Sequence, residues 1–397
     1  MLLKKRIFLI VFLVTVIFSF SSDYTFKMGL GDYFLITGYN GSDNYISGQY
    51  TENDEFFIRS DGSFKDYDFL NSGDTIKLRF SDDITEDSTV LFFDHYAENN
   101  EMNLDYMLDI INGAQKFVYV SCYDIDNKGI INALVNASSR GIDVKVVVEA
   151  SNRNNYTDFK FPKSGIKVIY DMNSALMHDK FIIVDGYCIM TGSTNFTENG
   201  LKKNSNNTLI IFSNVIAQYY MDEFSEQFYD LNFGKKFTQN TGISTVKLKT
   251  GDFDVYFTPE DDFRSEIVDL IDNAVSNINV MIFTFTDQEI ADALIRAENR
   301  GVKVRTIMET YQASSQWSVY NSIKNEFDVV LDKNPDTFHY KTMIIDNEII
   351  ITGSFNFTNA AQEKNDENAL VIHSSKIAES YNNEFEKLYK NYTENKK

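Results

Sequence analysis

The chain has 397 residues, 43% of them hydrophobic and 14% aromatic, and a formal net charge of −21. That length and apolar share exclude a disordered chain and allow two or three domains with cores of their own. The acidity works against tight, sequence-independent binding of polyanions at long range, although it leaves room for a local basic cleft.

Lys4, Lys5 and Arg6 precede an apolar run from Ile7 to Phe20, and Ser19-Phe20-Ser21 offers small residues where a signal peptidase cuts. Residues 1–21 therefore read as a secretory signal peptide, which implies a secreted or periplasmic protein. An uncleaved anchor over residues 7–20 is the alternative, but the run falls short of the ~20 residues that a spanning helix needs. Removing the leader's three cations takes the formal charge to about −24. Cys122 and Cys188 lie in apolar, strand-like runs, where a disulfide and two buried thiols are equally expected. Without histidine neighbours they do not make a zinc site.

Residues 22–87 are polar, aromatic and rich in turn formers. Tyr33-Phe34-Leu35-Ile36 and Thr75 to Phe80 read as strands, with Asn40-Gly41 and Asp61-Gly62 as turns. This segment is expected to be a small β-rich module of unknown role. From Ser88 the chain repeats itself at an offset of about 160 residues. A strand (Thr89 to Phe93; Asp254 to Phe257) leads to an amphipathic helix (Met107, Leu108, Ile111, Ala114; Ile267, Val268, Ile271, Ala274). A second strand and helix follow in each copy, closing on Arg140-Gly141 and Arg300-Gly301, a glycine helix stop. Two further helix faces match as well: Ile216, Tyr220, Phe224 and Phe228 against Ile377, Tyr381, Phe385 and Tyr389. The alternation predicts an α/β fold of two pseudo-symmetric halves with parallel or mixed sheets, residues 88–237 and 246–397, joined by a linker.

The densest repeat is a motif. His178-x-Lys180, Asp185 and Gly192-Ser193-x-Asn195 return with the same spacing as His339-x-Lys341, Asp346 and Gly353-Ser354-x-Asn356, and only four histidines occur in the chain. Strand alternation puts His178 and Lys180 on one face and Asp185 on the other. Asp185-Gly186 and Asp346-Asn347 are hairpin dipeptides, so both aspartates, with Gly192 and Gly353, are expected to be structural. Ser193 and Asn195 share a parity and are expected to face the cleft. Ammonium, hydroxyl and amide groups suit a tetrahedral phosphate, with Ser193 and Ser354 as phosphate-binding hydroxyls. An imidazole titrates near neutrality and serves as nucleophile or acid/base. One histidine cannot attack and protonate the leaving group from the opposite side, whereas two copies facing one cleft can. The residues themselves leave open which histidine does which. His95 and His373 lack the constellation and are expected to be ordinary structural residues. Trp317 is expected to pack rather than to line the cleft rim.

These motifs resemble the HKD signature of the phospholipase D superfamily over residues 88 to 397. The second copy, with Ser354-Phe355-Asn356-Phe357-Thr358 and Asn365-Asp366-Glu367-Asn368, looks most like the bacterial nuclease branch. The resemblance implies a phosphodiesterase with a two-half cleft, a phosphohistidine intermediate, and no metal or other cofactor. It implies His178 as nucleophile and His339 as general acid, with Lys180, Lys341, Asn195 and Asn356 in the catalytic set. An acidic residue that orients the opposite histidine falls on Glu367. Its counterpart in the first half is Asn206, which can hold an imidazole but cannot stabilise an imidazolium by charge. Nucleic acid or a related phosphodiester is the first expected substrate and a phospholipid head group the second; a non-catalytic binding module is the third alternative. Both motifs lie in one chain, so a monomer with no obligate protein partner is expected.

Overall fold

The structure is a computed structural model, and it describes residues 24–27, 75–78, 88–94, 102–234 and 245–394. The expected leader, the Tyr33–Ile36 strand and His95 lie outside the described residues. Of the N-terminal module the structure describes one antiparallel pair, β1 (Tyr24–Lys27) with β2 (Thr75–Leu78).

The first half runs β3 (Ser88–Asp94), α1 (Met102–Gly113), β4 (Phe117–Cys122), α2 (Lys128–Ser139), β5 (Asp143–Glu149), β6 (Lys167–Asp171), β7 (Lys180–Val184), β8 (Cys188–Gly192), α3 (Glu198–Lys202), β9 (Asn206–Phe212) and α4 (Asn214–Ser225). Its seven strands lie in the order β3-β9-β8-β7-β4-β5-β6. The second half repeats it: β10 (Val246–Leu248), β11 (Gly251–Thr258), α5 (Phe263–Asn273), β12 (Asn277–Ile282), α6 (Gln288–Asn299), β13 (Lys303–Met308), β14 (Asp328–Leu331), β15 (Lys341–Ile345), β16 (Ile349–Gly353), α7 (Asn359–Glu363), β17 (Glu367–His373) and α8 (Ser375–Glu394). Its order is β10-β11-β17-β16-β15-β12-β13-β14, the same sheet with one added edge strand. Both sheets are mixed. The β4-β5-β6 and β12-β13-β14 ladders are parallel and the remaining ladders antiparallel.

Central strands such as β7 (KFIIV) are buried throughout, as strands covered on both faces must be. One face of each sheet packs on that half's own helices, around Ile130 and Leu134 in the first half and Ile290 and Leu294 in the second. The other faces share a single core with α4 and α8, in which Phe181, Tyr220 and Phe224 meet Phe253, Ile344 and Tyr381. Each such side chain contributes roughly 1.5–3 kcal/mol of transfer free energy, so the two halves are fused through their cores. Asn127 and Asp287 cap α2 and α6 at equivalent positions, accepting N–H groups of the first helical turn. Cys122 and Cys188 are buried free thiols, not a disulfide. Among the described residues no helix is long and apolar enough to cross a membrane.

Candidate active site

Two backbone exchanges between the halves create the site. His178 N–H donates to Asp366 O at 2.8 Å, and Asp366 N–H donates to Leu176 O at 2.9 Å. At the equivalent place His339 N–H donates to Ser205 O at 2.8 Å, and Ser205 N–H donates to Thr337 O at 2.9 Å. Side chains repeat the exchange. Asn207 Nδ2 reaches Thr352 Oγ1 at 3.0 Å and the Tyr381 hydroxyl at 2.9 Å, while Asn368 Nδ2 reaches Thr191 Oγ1 at 2.6 Å. Each motif histidine is thus stitched to the strand that opens on the opposite half's Asn206 or Glu367.

His178 Nδ1 lies 2.6 Å from Glu367 Oε2. Ser354 Oγ donates to the same oxygen at 2.7 Å, and Asn365 Nδ2 donates to Oε1 at 3.1 Å. His339 Nδ1 faces two acceptors, Ser193 O at 3.0 Å and Asn206 Oδ1 at 2.9 Å. The Asn206 amide is turned that way because its Nδ2 donates to Gly200 O at 2.8 Å. A carbonyl only accepts, so Nδ1 of His339 carries the proton and Nε2 holds a lone pair. A carboxylate opposite Nδ1 of His178 fixes the same tautomer there.

Lys180 Nζ donates to His178 O at 2.7 Å and Lys341 Nζ to His339 O at 2.9 Å. All four motif side chains are more than nine-tenths buried. Burial, then the neighbouring ammonium groups, holds both imidazoles well below the usual histidine range. Burial brings Lys180 down to about 8 and Lys341 well below its ordinary value. The same burial lifts Glu367 to about 7, opposed by Lys180. Two ammonium groups pressed together with two depressed imidazoles form a site that an anion relieves.

Ser193 and Ser354 require a correction. Their hydroxyls do not face the cleft to meet a phosphate. Ser193 Oγ donates to Asn206 Oδ1 at 3.1 Å and accepts Asn207 N–H at 3.0 Å, while Ser354 Oγ donates to Glu367 and accepts Asn368 N–H at 3.0 Å. Each gives its proton to the group that backs a histidine. Gly192 and Gly353 explain the path of the chain. Their φ values are 135° and 147°, and a Cβ would stand 2.3 Å from Asn207 O or 2.2 Å from Asn368 O. Asn195 and Asn356 sit half-buried beyond them, each with a buried Oδ1 that lacks a partner among the described residues.

Asp185 and Asp346 lie at the far end of the sheet, away from the histidines. Asp185 (φ 56°) with Gly186 and Asp346 (φ 54°) with Asn347 form left-handed hairpin turns. Asp185 accepts the N–H groups of Gln115, Lys116 and Phe117; Asp346 accepts those of Val275, Ser276 and Asn277. Trp317 is also corrected: it is 74% exposed and packs in no core. His373 is half-exposed beside Asp254, at the far end of β17.

The residues alone did not single out Tyr123 and Phe283, whose rings lie against His178 and His339 with centroids 4.9 and 4.8 Å away. Both directly follow the strands paired with the motif strands, which was their only sequence signal. Asp179, between His178 and Lys180, lies on the parity that faces away from the cleft.

A family profile described as "Cardiolipin synthase, PLD-like domain" matches residues 107–228 and again 267–389. The chain is 39% identical over 126 residues to a phospholipase D of Rickettsia conorii, a match covering 32% of this chain and 63% of that protein. It therefore spans less than two thirds of that relative's length. Among solved structures, a phospholipase D family member, Nuc from Salmonella typhimurium, is 35% identical, with 34% of this chain and 93% of that one covered and a TM-score of 0.33. Phosphatidylserine synthase of Haemophilus influenzae is 13% identical with a TM-score of 0.61, covering 76% of this chain and 86% of that one, which shows a shared two-half fold.

Proposed function

Because the chain belongs to the phospholipase D-like family, we propose that it is a metal-independent phosphodiesterase working through a phosphohistidine. One observation carries this reading: the two motif histidines meet between the halves, each backed at Nδ1 and with no partner for Nε2 among the described residues. His178 Nε2 attacks phosphorus, and the P–O bond to the leaving group breaks. Charge from the bound phosphate lets His339 take up a proton at Nε2, and the leaving oxygen takes that proton from the imidazolium. Water then attacks the phosphorus of the phosphohistidine and gives a proton to His339. The P–N bond breaks with its electron pair returning to His178. An ester and water become a phosphomonoester and an alcohol.

The backing groups support this division of labour. Attack by His178 develops imidazolium charge, which Glu367 stabilises as an anion. Asn206 gives His339 no such charge, so the imidazolium of His339 is the readier proton donor. Lys180 and Lys341 neutralise the phosphate oxygens, and the Asn195 and Asn356 amides complete the oxygen contacts. Two central ammonium groups also repel a divalent cation.

Nucleic acid is one substrate class that fits this chemistry. The phospholipid reading gains from the surface. The segments following β5, β6 and β13 stand at the histidine end of the sheets, because β4 and β12 end opposite Lys180 and Lys341. Those segments carry Phe159, Met172, Tyr311 and Trp317, each at least 68% exposed. Exposed aromatic and apolar side chains around a cleft suit a lipid interface. We infer secretion from the leader pattern, with export of a full-length fusion as its check.

The test is turnover in EDTA of bis(p-nitrophenyl) phosphate, single-stranded DNA, duplex DNA and phosphatidylcholine vesicles in parallel. Turnover of the chromogenic diester without metal is expected. A strict requirement for added metal would overturn the mechanism, and the DNA and vesicle arms decide between substrate classes.

A further inference from the structure

The two halves differ beneath their histidines. In the first half, Gln227 is completely buried and lies in a widened helical turn, Glu226–Asp230, that continues α4. Its Nε2 donates to Asp179 Oδ2 at 2.6 Å and to Glu223 Oε1 at 2.7 Å, and its Oε1 accepts Ser121 Oγ at 2.5 Å. The amide thus ties the end of α4 to β4 and to the residue between His178 and Lys180. In the second half the same three positions hold Met281, Tyr340 and Leu388, all buried in the shared apolar core. There α8 runs on as a regular helix from Ser375 to Glu394. Helical turns of the widened kind are rare and occur often at functional sites. A buried polar bridge is costlier than the apolar packing that serves the other half. The first half nevertheless carries one, under the histidine that is backed by a carboxylate.

We propose that Gln227 is a positioning residue that, by gripping the Asp179 carboxyl, fixes the His178–Lys180 segment and aims His178 at phosphorus. This rests on the reading of His178 as the nucleophile. Asp179 faces Lys180 on its own strand, Glu367 and Asp366 at the start of β17, Glu223 on α4, and Glu260 after β11. Burial pushes its carboxyl up to about 7. Neutral Asp179 leaves Glu367 the anion beside His178; ionised Asp179 adds a negative charge where a phosphodiester must bind. The hydrogen bond from Gln227 pulls the other way, toward the carboxylate, but burial is the larger effect.

The experiment compares Gln227→Leu, Asp179→Leu and Asp179→Asn with the wild type, using bis(p-nitrophenyl) phosphate across pH 5 to 9. In parallel, 15N-histidine spectra are recorded, with the His178 signal assigned by His178→Asn. Gln227→Leu and Asp179→Leu are expected to lower kcat at least about tenfold with KM changed less than about threefold, and to shift the His178 signal. Asparagine at 179 still accepts from Gln227 and does not titrate. It should restore most of kcat and move the alkaline limb of kcat/KM upward. A folded Gln227→Leu variant with wild-type kcat and an unmoved His178 signal would overturn the proposal, as would equal losses in Asp179→Asn and Asp179→Leu. An inactive wild type would instead sink the phosphodiesterase reading, and the spectra would still decide whether Gln227 positions the ring.

Discussion

The two halves share strand order, caps, hairpin turns and motif, yet they treat their histidines differently. His178 is held by a carboxylate, with the Ser354 backbone beside it, and stands over the Ser121–Gln227–Asp179 bridge. His339 is held by an amide and a carbonyl and stands over apolar packing. A duplicated fold supplies two equal imidazoles, whereas a displacement at phosphorus needs an attacking base on one side and an acid on the other. On the proposed mechanism, unequal support under equal geometry divides those roles. In that proposal, charge behind His178 would stabilise the cation that forms on attack, and its absence behind His339 would make that proton easier to give up.

The sharpest way to break this comparison is to remove one imidazole. His178→Asn is expected to lower kcat by at least about 10³-fold toward bis(p-nitrophenyl) phosphate. His339→Asn should lose as much on a diester whose leaving group is an alkoxide, but much less on bis(p-nitrophenyl) phosphate, whose p-nitrophenolate leaves without a proton. Equal losses on both esters would erase the assigned roles. Glu367→Gln keeps the hydrogen bond and removes the charge, so a loss of roughly 10²-fold or more in kcat is expected. A loss below about threefold would mean that the carboxylate only orients.

How much of this could be read beforehand follows from what repeats. The halves, the motif strands and the hairpin aspartates were legible because each is written twice at one spacing, whereas the pairing of His178 with Glu367 followed only from the family resemblance, since the first half has Asn206 at that place. The serines were misassigned because parity gives a face, not a partner. Ser193 and Ser354 follow glycines at φ 135° and 147°, where the strand rule no longer holds, and the backbone of Asn207 or Asn368 comes close enough to take the hydroxyl. Trp317 was misjudged because a lone aromatic in a polar stretch carries no periodicity. Gln227 was invisible for the opposite reason: it lies on a helix face whose other members are core, and its partner is 48 residues away.

A smaller effect sharpens the comparison. Asn206→Asp would give His339 the anionic support that His178 has. A nearby carboxylate raises an imidazole pKa. A general acid works only while protonated, so activity is lost as pH rises through its pKa. The alkaline limb of kcat should therefore move to higher pH in the variant, with kcat at the optimum changed less than about tenfold. A limb that moves down, or does not move, would place the acid elsewhere.

The smallest effects concern stability and have opposite signs at the two ends of the sheets. Near the histidines, burial raises Asp179 and Glu367 to about 7 and Glu260 to about 8. A carboxyl raised in the folded state contributes stability that is complete below its unfolded value near 4 and is lost as pH rises through the folded one. At the far end, burial pushes Asp346 up, but donors from Val275, Ser276 and Asn277 outweigh it and hold the carboxyl below its usual range. That contribution is present above the unfolded pKa and disappears as pH falls through the folded value. Calorimetry between pH 5 and 8.5 should show Tm falling as pH rises, with the slope reduced in Asp179→Asn. Asp346→Ala should lower stability by about 1–2 kcal/mol at pH 6, lose much of that difference below pH 3, and leave kcat within about twofold. A large loss of kcat with an unchanged Tm would return this aspartate to the chemistry and break the separation between the two ends of the sheet.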